Sequence, residues 1–181
     1  MGLIAGGKST LARGLANKFS LPYFNTDVVR KELAGKAPES RQGSSLNQGI
    51  YSPEFTRMTY DALLDHASRE LSRNQSVVLD GSYHKRSERE RVAQCAAECG
   101  ASLFFILCQC DEEETARRLA MRARNPQAVS DGTWEIFQRQ KESFEFPDEL
   151  PGHSLMIFDT KGSSPQLLQK LFSILSESHA V

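Results

Sequence analysis

The 181-residue sequence contains little cysteine, no long apolar run and no excess of one sign of charge. Its four cysteines do not follow the paired C-x-x-C spacing of zinc sites, which predicts reduced thiols. No apolar stretch approaches the ~20 residues that span a bilayer, so no membrane association is expected. The opening residues lack the basic and apolar segments of a secretory signal, and the cytoplasm is the predicted location.

Charge is nearly balanced, with 22 Lys and Arg against 23 Asp and Glu and a formal net charge of -1. Proteins that neutralise many nucleic-acid phosphates carry a basic excess, so long nucleic acid is not favoured as a partner. A local basic cluster can still bind one small phosphorylated ligand. The length is that of about one domain, and a single domain over residues 1–181 is predicted.

Apolar residues recur at the spacing of alternating helices and strands. Strands are predicted near residues 23–24, 76–80, 103–108 and 155–159. Helices are predicted near 9–19, 27–33, 53–73, 87–100 and 111–125, from residue 130, and at 165–175. Continuously apolar strands between helices indicate an α/β fold with a parallel sheet covered on both faces. In such a fold a ligand binds at the carboxyl ends of the strands.

Residues 2–9 match the pattern G-x-x-x-x-G-K-[ST]. Glycines let a loop wrap closely round phosphates with its N–H groups inward, and the following helix adds its positive dipole end. In this pattern Lys8 reaches the β- and γ-phosphates, and the Ser9 hydroxyl is a magnesium ligand. A chance glycine-rich turn is the alternative, but the pattern runs straight into an amphipathic helix. The predicted nucleotide-binding residues are Ala5, Gly6, Gly7, Lys8, Ser9 and Thr10.

Two carboxylates follow predicted strands. Asp80 ends an apolar strand, where an acid can hold magnesium directly or through water, although it can also simply cap the Asp-Gly-Ser turn. Asp27 begins a short helix at the same rim, where a carboxylate can accept the proton of an attacking hydroxyl. Arg30 shares its helical face and can grip a substrate anion or orient Asp27. An N-cap Asp beside a solvated Arg is the equally weighted alternative.

A dense basic cluster of the sequence contains Arg117, Arg118, Arg122 and Arg124. Arg118 and Arg122 are four residues apart and share a helix face. They are therefore candidates for stabilising the negative charge of a phosphoryl group during transfer. A solvated helix face that pairs with the acidic residues 113–114 is the alternative.

Together these stretches resemble the P-loop kinase-like ATP-binding family, of AAA type, that includes phage polynucleotide kinase and the zeta toxins. The resemblance is strongest to the ATP-binding module fused behind aminoglycoside-phosphotransferase-like domains in bacteria. The matching stretches are residues 2–11, 26–33, 51–54, 77–82 and 118–124 with 129–131.

The resemblance implies a three-layer αβα fold with strand order 2-3-1-4-5, and it implies ATP and Mg2+ as cofactors. It also implies transfer of the γ-phosphate to a hydroxyl of a small-molecule acceptor. Asp27 and Arg30 fit the family's acceptor-handling pair, and Arg118 and Arg122 fit a lid near residues 117–131. The predicted catalytic residues are Lys8, Asp27, Arg30, Arg118 and Arg122, and the predicted metal ligands are Ser9 and Asp80.

Two features depart from the family pattern. Ala5 stands where the family often has glycine, and the strand that normally precedes the loop is nearly absent. The second departure predicts a truncated first strand, with fusion to an upstream domain in a longer protein. Two other functions stay open: a nucleotide-binding regulatory or ATPase module of a larger protein, and a polynucleotide 5′-hydroxyl kinase.

Overall fold

The computed structural model describes residues 1–37, 49–124 and 132–178. Helices and strands alternate along the chain, as the apolar pattern predicts. The strands are β1 (Tyr23–Asn25), β2 (Val78–Asp80), β3 (Phe105–Gln109) and β4 (Leu155–Asp159). The helices are α1 (Lys8–Phe19), α2 (Thr26–Leu33), α3 (Pro53–Leu71), α4 (Arg86–Glu98), α5 (Glu112–Ala123), α6 (Trp134–Glu142) and α7 (Ser164–Ser178). Short 3-10 turns at Gly49–Tyr51 and Gly152–Ser154 precede α3 and β4.

The four strands form two parallel pairs, which confirms the predicted parallel arrangement. In the first pair β1 lies beside β2, with Tyr23 opposite Val78. In the second pair β3 lies beside β4, with Phe105 opposite Leu155. Among the described residues the two pairs are separate two-stranded sheets. In the implied order 2-3-1-4-5, β1 and β2 correspond to the family's second and third strands, and β3 and β4 to its fourth and fifth. Within the described residues no strand takes the central place of the family's first strand.

Helices cover both faces of the strands. Phe105 of β3 packs with Leu63 of α3 and Val92 of α4 in one apolar cluster. Cys108, three residues further along the same strand, faces the opposite side and packs with Leu11 of α1 and with α7. Because side chains alternate between the faces of a strand, one short strand serves both clusters. The result is the three-layer arrangement of helix, sheet and helix.

The start of α4 differs from the sequence prediction. The Ser-x-x-Glu pattern predicts a capping box at Ser87, and this prediction is wrong. The helix begins at Arg86, and its N-cap is Lys85, whose backbone N–H donates to the Glu88 carboxylate at 3.4 Å. The carboxylate of the third helical residue thus satisfies the N-cap backbone two residues earlier than the pattern suggests.

The helix predicted from residue 130 begins later. α6 starts at Trp134, and the Thr133 hydroxyl caps it by accepting a hydrogen bond from the Ile136 N–H at 3.3 Å. Residues 125–131, seven of the fifteen residues of the lid predicted at 117–131, lie outside the described residues, as do residues 38–48 of the loop before α3.

A buried ion pair ties α4 to the segment before β4. Arg89 is fully buried, and its guanidinium donates to both carboxylate oxygens of Glu149, at 2.5 and 3.0 Å. It also donates to the carbonyls of Tyr83 and Glu145, each at 3.0 Å. Loss of one partner of such a pair destabilises a protein by about 3–5 kcal/mol. Arg89 therefore fixes the turn between β2 and α4, which borders the candidate site.

All four cysteines are free thiols, and Cys108 is the buried one. Across the described ranges, no group of three or more His, Cys, Asp or Glu side chains is arranged to hold a metal ion. In the same ranges, no helix combines the length and the apolar character needed to cross a membrane.

Candidate functional site

The glycine-rich loop, residues 2–7, wraps round the amino end of α1. Gly7 is the N-cap of this helix with φ +83°, and Ala5 also has a positive φ, +59°. A Cβ at Gly7 would lie 2.9 Å from the Cβ of Thr160, so both conformation and space require glycine there. A glycine cap has no side chain to bond the first N–H groups of the helix. Those groups and the positive end of the helix dipole make an anion-binding end.

The Lys8 ammonium lies over this loop. It donates a hydrogen bond to the Leu3 carbonyl at 2.8 Å. Burial lowers the pKa of Lys8, and the carboxylates of Asp80 and Asp27 act in the opposite direction. An ammonium held against the loop and faced by two acids is positioned to meet the oxygens of a bound phosphate.

Asp80 lies buried at the carboxyl end of β2, 3% exposed. Its Oδ2 atom accepts hydrogen bonds from the Tyr23 hydroxyl at 2.7 Å and from the Asn25 amide at 2.6 Å. Burial and Asp80 raise the pKa of Tyr23, and the same hydroxyl interacts with the side chain of Ser9. Tyr23 of β1 therefore connects Asp80, at the end of β2, with Ser9, in the first turn of α1.

The donors at this corner fit magnesium. Mg2+ prefers oxygen ligands and is commonly bound through one or two carboxylates together with substrate phosphates and water. Ser9 offers a hydroxyl and Asp80 a buried carboxylate beside the anion-binding loop. These two side chains suit an ion shared with a triphosphate rather than one enclosed by protein.

Asp27 faces the cleft from the first turn of α2. The helix begins at Thr26, and its N-cap is Asn25, whose side-chain oxygen accepts a hydrogen bond from the Asp27 N–H at 3.0 Å. The alternative in which Asp27 is the N-cap is therefore wrong, because Asn25 caps α2 and the Asp27 carboxylate is not needed for that role. Burial raises the pKa of this carboxyl, while Arg30 and Lys8 act to lower it.

Arg30 is buried in the wall beside Asp27, 7% exposed, so it is not the solvated arginine of the alternative interpretation. Its guanidinium donates to the Ile50 carbonyl at 2.7 Å and to the Thr56 hydroxyl at 3.1 Å. It also lies 5.1 Å from the centre of the Tyr51 ring. Arg30 joins α2 to the start of α3, and contact with substrate stays a prediction.

The two arginines expected to act together differ in position. Arg122 lines the cleft, where burial lowers its pKa and Asp27 and Asp80 act to raise it. Arg118 instead donates to the Ala5 carbonyl at 3.2 Å and to the Thr160 carbonyl at 2.5 Å. It therefore links the glycine-rich loop to the residue that follows β4. The neighbouring Leu119 packs with Ala5, so the middle of α5 lies beside the loop.

Arg118 also forms the ion pair of the alternative interpretation, with Glu114 at 2.7 Å. Arg117 bonds the same Glu114 at 2.7 Å, and not Glu113 as the four-residue spacing suggests. These bonds hold the pKa of Glu114 at about 2. Arg124 is exposed at the end of α5, away from these contacts.

These groups open into one cleft of about 1050 Å³. The cleft is also lined by a hydrogen-bonded set of Tyr60, Ser82 and His84, which the sequence pattern does not predict as a group. The Ser82 hydroxyl lies 3.1 Å from the Tyr60 hydroxyl and 3.1 Å from Nδ1 of His84. That nitrogen lies 3.8 Å from a Glu88 oxygen. Burial lowers the pKa of His84 and raises that of Glu88, which favours neutral forms of both.

The sequence offers one signal for this polar wall: Ser82 and His84 lie two and four residues after Asp80, which ends a strand. A single histidine near a turn is common, and only the fold brings Tyr60 from α3 to the same place. The last of the predicted nucleotide-binding residues, Thr10, lies in the first turn of α1, and its N–H donates to the Gly7 carbonyl at 3.1 Å.

Comparison with known proteins identifies the family and the fold. The family described as "AAA domain" matches residues 1–147. An uncharacterized protein of Mycobacterium tuberculosis is 31% identical over 130 residues, 72% of this chain and 26% of that protein. An adenylate kinase of Thermobifida fusca is 32% identical over 123 residues, 65% of this chain and 62% of the enzyme. The chain thus spans about a quarter of the mycobacterial relative it matches.

Solved structures share the fold at low identity. A gluconokinase from Sinorhizobium meliloti superposes with a TM-score of 0.66 at 18% identity, over 98% of this chain and 89% of the enzyme. Kti12 of Chaetomium thermophilum, solved in complex with ADP-AlF3, gives 0.67 at 17% identity, over 96% of this chain and 95% of Kti12. The fold is that of a P-loop NTPase of kinase type, and the chain belongs to the P-loop kinase-like family of AAA domains.

Proposed function

We propose that the protein is an ATP-dependent phosphotransferase that moves the γ-phosphate of ATP to a hydroxyl of a small-molecule acceptor. The observation that carries this proposal is the meeting of the glycine-rich loop, Lys8, Asp80 and Asp27 in one cleft. The names of similar proteins, which include a gluconokinase and an adenylate kinase, support the reaction class.

In this proposal the loop and the amino end of α1 hold the phosphates through backbone N–H groups. Lys8 exchanges its bond to the Leu3 carbonyl for bonds to the β- and γ-phosphate oxygens, which are stronger acceptors because they are charged. Magnesium, held by Ser9 and by Asp80 directly or through water, would offset part of the negative charge on the phosphates.

Asp27 is the proposed general base. The acceptor oxygen forms a bond to the γ-phosphorus while its proton passes to the Asp27 carboxylate, and the bond from phosphorus to the β-bridging oxygen breaks to release ADP. The raised pKa of Asp27 supports this role, because a base is more effective when its pKa approaches the working pH. Arg122 stabilises the charge on the transferred group.

Arg30 and the polar wall of Ser82 and His84 are the proposed acceptor side. Hydroxyl and imidazole groups both donate and accept hydrogen bonds, which suits a ligand with several hydroxyls. The cleft of about 1050 Å³ leaves room for such a ligand beside a nucleotide. A direct screen of hydroxyl-bearing compounds can identify the acceptor.

The test incubates the protein with Mg2+ and ATP labelled at the γ-phosphate, together with sugars, sugar acids, nucleosides and a short 5′-hydroxyl oligonucleotide. Label in a small acceptor supports the proposal, and loss of that product in Asp27→Asn assigns it to the site. Label in the oligonucleotide alone would identify a polynucleotide 5′-hydroxyl kinase instead. ATP binding with only slow hydrolysis would identify a regulatory or ATPase module, a candidate supported by the larger size of the mycobacterial relative.

A further inference from the structure

Helix α6 packs against the glycine-rich loop. Phe137, the buried residue of this helix, packs with Ala5 of the loop and with Leu119 of α5. Lys141, one turn further along α6, forms an ion pair with Glu112 at the start of α5. The apolar contact does most to hold α6 beside the loop, because an exposed ion pair contributes little.

One side chain of α6, that of Gln140, bonds the loop itself. Its Oε1 atom accepts a hydrogen bond from the Ile4 N–H at 2.9 Å. The carbonyl of the same peptide unit, that of Leu3, accepts bonds from the Lys8 ammonium at 2.8 Å and from the Gly6 N–H at 3.1 Å. The peptide between Leu3 and Ile4 is therefore held at both of its polar ends, and Gln140 holds one of them.

The bond to Ile4 also fixes the orientation of the Gln140 amide. A glutamine amide has one oxygen that accepts and one NH2 group that donates, so the oxygen must face the backbone N–H. Within the described part of the chain, the bond from Ile4 is the one hydrogen bond of this side chain. The buried polar side-chain atoms without a partner are Arg30 Nε and the Tyr83 hydroxyl, so the Gln140 NH2 group is reachable from solvent.

Gln140 lines the same cleft as the groups proposed for phosphoryl transfer. Lys8, Asp27 and Arg122 border this cleft, and so do Ile4 and Gln140. Because the two ends of an amide share one carbon, the NH2 group lies next to the oxygen that contacts the loop. A neutral donor is thus placed at the edge of the predicted phosphate-binding loop.

We propose that Gln140 is a catalytic residue, whose Oε1 atom stays bonded to the Ile4 N–H while its NH2 group donates to an oxygen of the γ-phosphoryl group during transfer. The inference rests on the proposed phosphotransferase function. Negative charge on the oxygens of the transferred group is what positioned donors stabilise in the transition state. Gln140 forms no covalent bond and moves no proton, so the bonds made and broken in the transfer are unchanged.

The two ends of the amide serve this role together. A donor lowers the barrier most when it is oriented before the reaction begins. The bond to Ile4 orients the amide, and the packing of Phe137 on Ala5 positions the helix that carries it. If Gln140 only held the loop, a carboxylate would serve equally well, because it also accepts a bond from an N–H.

Two variants separate the accepting end of the amide from the donating end. Gln140→Glu keeps an oxygen for the Ile4 N–H and removes the NH2 donor. Gln140→Met keeps a side chain of similar length and removes both groups. Gln138→Glu is the matched control, because it makes the same substitution at an exposed position on the same helix.

Calorimetry measures the affinity for magnesium-ADP with and without aluminium fluoride, which mimics the transferred phosphoryl group. The unmodified protein and Gln138→Glu should bind more tightly when aluminium fluoride is present. Gln140→Glu should keep its affinity for ADP and lose about tenfold or more of the added affinity. Gln140→Met should lose affinity for ADP as well, because the loop loses its bond.

Two further readouts apply to Gln140→Glu. Its single-turnover transfer should fall by about 100-fold or more, as for other positioned donors to a transition-state oxygen. The lost affinity for aluminium fluoride should persist at about 0.5 M salt, because salt screens the repulsion of an added charge but does not replace a donor.

The outcomes distinguish this inference from the proposed function. If Gln140→Glu gains as much affinity from aluminium fluoride as the unmodified protein, Gln140 only holds the loop and the inference is overturned. A loss that disappears at high salt overturns it too. No gain of affinity in the unmodified protein would contradict the phosphotransferase proposal, and this inference with it.

A measurement on the unmodified chain does not depend on the folding of a variant. In spectra of nitrogen-labelled protein, the side-chain amide signal of Gln140 should shift when aluminium fluoride is added to the magnesium-ADP complex. The signal of Gln138 should stay in place. An unmoved Gln140 signal under conditions where aluminium fluoride raises the affinity would contradict the assigned contact.

Discussion

The two sides of the cleft are built in different ways. The nucleotide side comes from one continuous stretch, in which the loop, Lys8 and Ser9 lie within eight residues and Asp80 is the only distant member. The acceptor side is assembled from α2, α3 and the turn before α4, which supply Arg30, Tyr60 and Ser82. Backbone groups dominate the first side and side chains dominate the second.

The difference indicates where specificity lies. A triphosphate presents the same oxygens in every nucleotide, so backbone N–H groups and one lysine suffice to hold it. An acceptor is recognised by its own pattern of donors and acceptors, which only side chains can match. Substitutions on the acceptor side should therefore change substrate preference, and those on the nucleotide side should abolish activity with every acceptor.

The largest expected effect belongs to Asp27, which lies between the two sides. Asp27→Asn keeps the shape and removes the basic oxygen, so transfer should fall by about 10²–10⁴-fold. Magnesium-ATP affinity should change little. Single-turnover transfer and calorimetry measure the two quantities, and Glu32→Gln on the exposed side of α2 is the matched control. Unchanged transfer in Asp27→Asn would remove it as the base.

The pH dependence of transfer gives a second test of Asp27. Burial raises the pKa of its carboxyl above the ordinary value of 3.8. A base must be ionised to accept a proton, so transfer should be present above the raised pKa and lost as the pH falls through it. The acidic limb of the single-turnover profile should therefore lie above the ordinary pKa of 3.8, and it should vanish in the residual activity of Asp27→Asn. A limb at or below the ordinary value would contradict the assignment.

Lys8→Ala should weaken magnesium-ATP binding by about 100-fold, because charge-assisted hydrogen bonds are worth about 1.5–3 kcal/mol each. Lys18→Ala, near the other end of the same helix, is the control, since Lys18 is exposed. Calorimetry checks both variants, and melting temperatures verify that both fold. Equal affinities would mean that Lys8 does not contact the phosphates.

Arg118 and Arg122 lie on one helix, α5, and substituting each of them separates a role in holding the loop from a role in transfer. Arg118→Ala removes bonds to Ala5 and Thr160, so the melting temperature should fall by several degrees, at about 2–4 °C per kcal/mol. Arg117→Ala is its control, because Arg117 is 60% exposed and bonds the same Glu114. Arg122→Ala should lower transfer without that loss of stability. Thermal melting and transfer rates give the two readouts, and the reverse pattern would exchange the roles.

The two sides of the cleft also differ in how much of their structure can be predicted from the sequence. The loop could be predicted because its chemistry needs particular residues at a fixed spacing, and the four strands because buried parallel strands are continuously apolar. The sequence does not separate the roles of Arg118 and Arg122. Their four-residue spacing shows that they share a helix face, but it does not show which residues each of them contacts. The sequence does not predict the grouping of Ser82, His84 and Tyr60, because α3 meets the β2 turn only in the folded chain.

The smallest expected effect is on the acceptor wall. His84→Ala removes a hydrogen-bonding group beside Ser82, so KM for the acceptor should rise about tenfold, the equivalent of about 1.4 kcal/mol. The dissociation constant for magnesium-ATP should stay unchanged. Steady-state kinetics with the acceptor found by the screen measures the first, and calorimetry the second. An effect on ATP affinity alone would show that His84 belongs to the nucleotide side of the cleft and not to the acceptor side.

The central claim is that the glycine-rich loop grips a triphosphate. Isothermal calorimetry of the folded protein with magnesium and ATP tests it most directly, with AMP, which lacks the β- and γ-phosphates, as the comparison ligand. The account predicts saturable uptake of one ATP per chain and much weaker uptake of AMP. No heat of binding from ATP, or equal affinity for ATP and AMP, would contradict it.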